Sequence, residues 1–264
     1  PMIASVFFSF TEYRLIQPPT WIGLANYRRM FSDALFYKSL SVTSVYTVTS
    51  VPLGICAALM VAVLLNQKIT GARVVRTVFY LPSVVSGVAV SLIFRWILNH
   101  KFGLLNYGLR LLTITGPDWL GNPRWTLWAF VLMSLWGIGG NMIILLAGLQ
   151  GVPVSLHEAA EIDGASSWRR FWSITMPTIS PAILFVTIMS IIGSWQVFTQ
   201  AFIMTDGGPA YATLFYMLYL YRNAFTWFEM GYASALAWVL FLVIMACTLV
   251  ALRTSKNLVH YEGA

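Results

Sequence analysis

Three carboxylates, Glu158, Glu161 and Asp163, fall within six positions, and Arg169 and Arg170 follow in the same stretch, Ser155–Pro181. Nowhere else in the 264 residues do acids cluster. Side chains of this type, set close together, can make charge-assisted bonds to basic or N–H groups of another protein. They do not read as catalytic. His100, His157 and His260 are expected to be solvated surface groups, not metal ligands. There is no Gly-rich phosphate loop with a lysine, so any ATP chemistry must belong to another chain. The bland alternative is a solvated hairpin whose acids merely keep it out of lipid.

A second set of polar groups lies inside apolar runs. Ser134 and Asn141 sit in one run, and Ser190, Ser194, Gln196, Thr199 and Gln200 in another. Gln196 and Gln200 are four apart and share one face of a helix. Trp195 and Phe198 flank them. Amides beside aromatic rings suit a sugar, which shows hydroxyls at its edge and C–H groups on its faces. Buried amides and hydroxyls also bond across helix contacts in membrane bundles. On this basis Asn141, Trp195, Gln196, Phe198 and Gln200 are candidate pathway residues, with interhelical bonding as the competing role.

The elements around the acids follow from their neighbours. Ser155 with Glu158 three residues on predicts a capping box. Gly164 sits where a left-handed residue ends a helix. A second short helix is expected from Ser167 to Thr175, with Trp168, Phe171 and Trp172 on its apolar side, and Pro177 then opens the next helix. Long uncharged runs lie on both sides, Trp125–Leu156 and Phe171–Thr205.

The whole chain has the same character. It is 58% hydrophobic and 9% charged, with mean hydropathy +0.74. A soluble core cannot use that much apolar surface, so an all-α polytopic membrane protein is expected, as one domain over residues 1–264. The net charge of +7 is spread as single and paired basic residues, which excludes nucleic acid as partner. Cys56 and Cys247 fall in apolar spans and read as buried small hydrophobes, with no metal or redox spacing. Five complete spans are expected: Ser39–Gln67, Thr77–Phe94, Trp125–Gln150 broken at Gly137–Asn141, Pro177–Met204 and Gly231–Leu252. Pro1–Phe10 is too short to cross and reads as the outer end of a truncated first span, giving six. Between the last two spans, Ala210–Met230 reads as an outer-surface helix or re-entrant segment. Pro52 and Pro82 are expected to kink their helices, and Gly137, Gly139, Gly140 and Gly193 to allow close helix approach.

The string Glu158-Ala159-Ala160-x-x-Asp163-Gly164-Ala165, followed by Phe171-x-x-Ile174-x-x-Pro177-x-x-x-Pro181, resembles the EAA loop of ABC importer permeases. Met176 stands where that family usually has leucine. The strings Trp21-x-Gly23-Leu24-x-Asn26-Tyr27 and Thr205-x-Gly207-Gly208-Pro209 resemble the carbohydrate-uptake branch related to maltose and glycerol-phosphate systems. The resemblance implies a type I importer permease fold in the cell inner membrane. It implies that residues 155–176 form a cytoplasmic coupling loop, with Glu158, Ala159, Ala160, Asp163 and Gly164 docking an ATPase. It further implies a second permease, two ATPase subunits carrying ATP and Mg, an external solute-binding protein and a carbohydrate substrate. This chain itself would bind no cofactor and catalyse nothing. Charge does not by itself orient the chain. With the loop inside, Lys68, Arg73, Arg76, Arg169, Arg170, Arg253 and Lys256 are inside, and nine of the sixteen basic residues are outside.

Overall fold

The structure is a computed structural model and describes residues 2–67 and 71–255. After α1 (Met2–Ser9) a two-stranded antiparallel ribbon, β1 (Thr11–Glu12) and β2 (Thr20–Trp21), pairs Thr11 with Trp21. Helices α2 (Ala25–Ser32) and α3 (Ala34–Asn66) meet at Asp33, whose carboxylate accepts the amides of Leu35 at 2.8 Å and Phe36 at 3.4 Å. Aspartate suits this corner because it supplies the acceptor that free helix N–H groups need. The chain continues through α4 (Ala72–Val84), α5 (Gly87–Ile97), α6 (Leu104–Leu111), α7 (Pro123–Trp136) and α8 (Gly139–Gln150). Then come α9 (Val154–Ile162), α10 (Ser167–Arg170), a π-helical turn at Phe171–Thr175 and α11 (Met176–Trp195). The last elements are α12 (Thr199–Met204), α13 (Tyr216–Tyr221) with a π-helical turn at Arg222–Thr226, and α14 (Met230–Ser255).

Two helices, α3 and α14, are long and apolar enough to cross a membrane by themselves. Three bent pairs pass the same test together: α4 with α5, α7 with α8, and the helix from Ser167 to Trp195, giving up to five spans. That is the number of complete spans the sequence predicts. Apart from the small ribbon, the described residues are helical or irregular, as an all-α reading requires.

The span expected over Thr77–Phe94 is not one helix. Pro82 has no N–H for the Val78 carbonyl, and α4 ends two residues later. Arg73 and Arg76, counted among the basic residues outside the spans, already belong to α4. Lys68 and Lys256 lie outside the described residues. Pro52, by contrast, sits inside α3 without ending it. Both cysteines are free, but Cys56 is exposed on the surface of this chain instead of buried.

The contacts group the chain into two compact units. The first comprises Pro1–Val48, Ser86–Leu132 and Ile192–Ala246. Its core is aromatic: Phe215 meets Tyr46 edge-on at 5.1 Å and Phe130 at 5.5 Å. The Asn26 side-chain amide donates to the carbonyls of Ser9 at 2.9 Å and Thr11 at 3.0 Å, tying the ribbon to α2. The second unit comprises Thr49–Val85, Met133–Ile191 and Cys247–Ala264. Its core is aliphatic, with Ala58 and Ala62 of α3, Met142 and Leu145 of α8, and Ile179 and Val186 of α11 buried together. Gly139 lets α8 lie directly on α4: an added Cβ would meet the Phe79 carbonyl oxygen at 2.1 Å. The close approach expected of the glycines is thus present at Gly139, while Gly140 and Gly193 face open space.

Candidate functional site

The acids lie on α9 and just beyond it. The helix starts at Val154 with Pro153 as its N-cap, so Ser155 is already inside the first turn. The predicted capping box is therefore absent, and no side chain caps this end. A proline ahead of the helix fixes the entry and brings no N–H of its own to satisfy.

The other end matches the prediction. Gly164 has φ +74°, its N–H bonds Glu161 O at 3.0 Å, and the Ala165 N–H bonds Ala160 O at 2.9 Å. This is a Schellman cap, which satisfies two helix-terminal carbonyls and fixes the direction of the exit. Two residues later Ser166 caps α10 by accepting the Arg169 amide at 3.4 Å. Arg170 closes the elbow with a 2.6 Å ion pair to Glu161. Glu158 and Asp163 remain exposed and make no side-chain hydrogen bond or ion pair among the described residues. Ala159 is exposed and Ala160 half-buried. Ala160 and Asp163 line a cleft of about 300 Å³ together with Ala165, Arg169, Arg170, Ser173 and Ile174.

Sequence reasoning missed the apolar half of this surface. Ile162 is 88% exposed and Val154 is 69% exposed, at the two ends of the short helix. Isoleucine and valine read as ordinary helix or core residues, so only the structure shows that none of the described residues covers them.

The second helix of the elbow does not stop at Thr175. It runs through the π-helical turn into α11, so Pro177 lies within a continuing helix and does not open a new one. Residues Ser167–Thr178 and Ser180–Trp195 meet at 64°. The bend has a local cause. Pro177 and Pro181 supply no N–H, and the freed Pro177 carbonyl is taken by the Ser180 hydroxyl at 2.6 Å. The second half of the elbow thus joins α11 through continuous helical backbone, with no loop between them. Trp168, Phe171 and Trp172 pack on one another with centroids 5.4–6.3 Å apart, and Trp168 and Trp172 stay exposed.

The candidate pathway residues fall in both units. In the second, the Asn141 amide on α8 donates to the Ser190 hydroxyl on α11 at 3.2 Å, which is the interhelical role. In the first, Ser194 and Thr47 share a hydrogen bond of 2.9 Å between α11 and α3. The helix ends at Trp195, so Gln196 sits on a turn and Gln200 in the first turn of α12, not on one continuous helical face. Gln196 is exposed and Gln200 half-buried. Trp195 is 3% exposed, and its indole N–H has no hydrogen-bond partner among the described residues. Phe198 stacks on Phe202 at 5.5 Å and leans on Tyr221 at 4.7 Å.

The sequence analysis also passed over a polar cluster around Asp33. Besides the two helix amides, its carboxylate accepts the hydroxyls of Tyr219 and, at 2.9 Å, Tyr232. Burial pushes the Asp33 carboxyl up, but these hydrogen bonds outweigh it and hold it below the usual carboxylate range. Beside it Arg29 pairs with Glu229 at 2.7 Å and lies 4.3 Å from the centre of the Tyr232 ring. The Glu229 hydrogen bond keeps the guanidinium firmly protonated. No group of three or more His, Cys, Asp or Glu side chains among the described residues could hold a metal ion.

Comparison with known proteins bears on these features together. The chain is 44% identical over 271 residues to the probable ABC transporter permease protein YesP of Bacillus subtilis (strain 168), covering 100% of this chain and 86% of that one. It is 35% identical to the multiple sugar-binding transport system permease protein MsmF of Streptococcus mutans, covering 97% and 89%. It is 34% identical to the sulfoquinovosyl glycerol transport system permease protein SmoG of Agrobacterium fabrum, covering 97% and 84%. Its fold matches a chain in the crystal structure of a bacterial ABC transporter that imports the acidic polysaccharide alginate, with TM-score 0.85, 23% identity and coverage of 98% and 90%. Residues 23–259 match the model of one family over nearly the whole chain, elbow included, and the protein belongs to that family, the inner membrane components of binding-protein-dependent transport systems.

Proposed function

We propose that this chain is a membrane-spanning subunit of an ATP-driven importer that carries a sugar or oligosaccharide delivered by an external solute-binding protein. The observation that carries the reading is the elbow: a short, Schellman-capped helix with uncovered apolar and acidic side chains, followed after a tight turn by α10, which is continuous with a membrane helix. Ile162, Val154 and the unpaired Glu158 and Asp163 form a surface suited to a groove on a soluble ATPase. Ala159 and Ala160 let the partner backbone come close. The relatives named for multiple sugars and for sulfoquinovosyl glycerol support a saccharide as solute.

The mechanism follows from stiffness. ATP and Mg are held by two partner ATPases, and this chain binds no cofactor and performs no catalysis. When the ATPases close, α9 moves with them as a rigid body, because its directions are fixed at Pro153 and Gly164. The motion passes through α10 into α11, and the path through this chain and a second permease opens outward. Hydrolysis returns it. The elbow and the C-terminal tail face the cytoplasm in this arrangement. Trp195, Gln196, Phe198 and Gln200 line the path, while Asn141 acts with Ser190 to hold α8 to α11.

The test is solute-stimulated ATPase activity of the complete complex in proteoliposomes, with the binding protein present. Stimulation by at least one saccharide, abolished by Gly164→Val while the complex stays assembled in the membrane, is the expected result. ATPase activity indifferent to every saccharide overturns the substrate reading, and a permease that never retains an ATPase overturns the coupling reading.

A further inference from the structure

The first compact unit carries charge that the positive-inside rule disfavours. Under the orientation proposed above its loops face outward, yet it holds nine of the sixteen basic residues against five acids. Arginine and lysine on the translocated side resist insertion, so a surplus there calls for a function. The acids do not neutralise it. Glu12 pairs with Arg14, Glu229 with Arg29 and Asp206 with Arg222. Asp33 is taken up by tyrosine hydroxyls and helix amides, and Asp118 accepts the Gly121 amide. Arg28, Lys38, Arg95, Lys101, Arg110 and Arg124 are left without an ion pair among the described residues.

Arg95 differs from the other five. Lys38 and Arg124 also lie on helices that count towards a span, but Arg95, near the end of α5, is the one of the six with a side-chain hydrogen bond to α12 among the described residues. Helix α5 packs along α12, the helix that begins with Thr199 and Gln200: an added Cβ at Gly87 would touch the Thr199 methyl at 4.0 Å. The Arg95 guanidinium donates to the Ile203 carbonyl at 3.2 Å, one turn beyond Gln200. A single carbonyl engages one of five N–H donors, and the side chain stays exposed. A charged side chain within a span is costly and marks a solute path more often than it marks packing. The fork geometry left free matches a carboxylate, sulfonate or phosphate.

We propose that the solute carried is an acidic saccharide, and that Arg95 selects it by pairing with its anionic group beside Gln200. This rests on the saccharide-import reading above. The remaining unpaired cations raise the local concentration of such a solute at the outer face.

The experiment measures ATPase stimulation and uptake by the complete complex with three probes of similar size: a neutral disaccharide, a uronic-acid disaccharide and a phosphorylated disaccharide. The expected result is that an acidic probe is preferred. Arg95→Gln then raises the half-saturating concentration for that probe about tenfold, the effect of one lost charge-assisted bond, and leaves the neutral probe unchanged. Arg95→Lys retains most of the preference, and abundance in the membrane is checked for both variants. Preference for the neutral probe overturns this proposal and leaves saccharide import standing. An equal loss for all probes in Arg95→Gln also overturns it, because that is what a mere cap on α12, or a contact with the binding protein, would give. Indifference to all three probes sinks both readings.

Discussion

At Gly164 the requirement is purely conformational. Its φ of +74° suits glycine, and an added Cβ would meet nothing within 4 Å. Replacement therefore acts on the backbone alone, at a cost of about 1–2 kcal/mol for an ordinary residue and less for asparagine. Gly164→Val is expected to leave the protein inserted but to uncouple ATP hydrolysis from uptake, while Gly164→Asn keeps most of both. Gly139 makes the opposite demand, for space. Gly139→Ala drives a methyl into the Phe79 backbone and is expected to lower the melting temperature of the purified protein by an amount equivalent to about 1–3 kcal/mol. A Tm equal to wild type would show that α8 and α4 do not pack this closely. Asp33 gives a pH signature. Its folded pKa is below the ordinary 3.8, so its stabilisation is complete above that value and is lost as pH falls through the folded one. Asp33→Asn should therefore melt lower than wild type near about pH 6, with the gap closing as pH approaches about 3.

Among the elements, α8 and α11 make a sharper test of the pathway residues. The Asn141–Ser190 bond joins them, and interhelical bonds of this kind contribute about 0.6–2 kcal/mol in membranes. Asn141→Ala and Ser190→Ala should each destabilise, and the double variant should be no worse than either alone. Additive losses would return Asn141 to the list of solute contacts. The sequence placed the apolar helices well, because long uncharged runs leave few alternatives. It also placed the Gly164 cap, because a left-handed cap has few occupants. What it misjudged were breaks and continuations governed by neighbours. Pro82 lies two residues from the end of α4 whereas Pro52 lies within α3, and proline alone does not tell the two cases apart. The helix ran on from Ser167 through Pro177 by way of a π-helical turn at Phe171–Thr175, and π-turns leave no spacing signature. The Gln196–Gln200 face failed because α11 stops at Trp195, where Gly193, expected to serve close helix approach, instead accepts the Gln196 N–H in the closing turn. The exposure of Ile162 was unreadable because nothing in the local sequence marks an isoleucine as uncovered.

For the whole molecule, the account joins two demands in one chain: a stiff elbow that takes up motion, and apolar helices that carry a few polar groups along a path. The unpaired cations of the first unit belong to this scale too, since their effect is a field and not a bond. Raising ionic strength should weaken uptake of an acidic saccharide more steeply than that of a neutral one, as screening shortens the reach of that field.

The central claim is that α9 grips an ATPase on the inner side of the membrane. The direct measurement is cross-linking of Ala159→Cys, in a chain with Cys56 and Cys247 replaced by serine, within the complete complex. The account predicts a disulfide adduct with a cysteine placed in the ATPase groove. It also predicts labelling by a membrane-impermeant thiol reagent in inside-out vesicles but not in intact cells. Labelling from the outside, or no adduct at any groove position in an assembled complex, would contradict it.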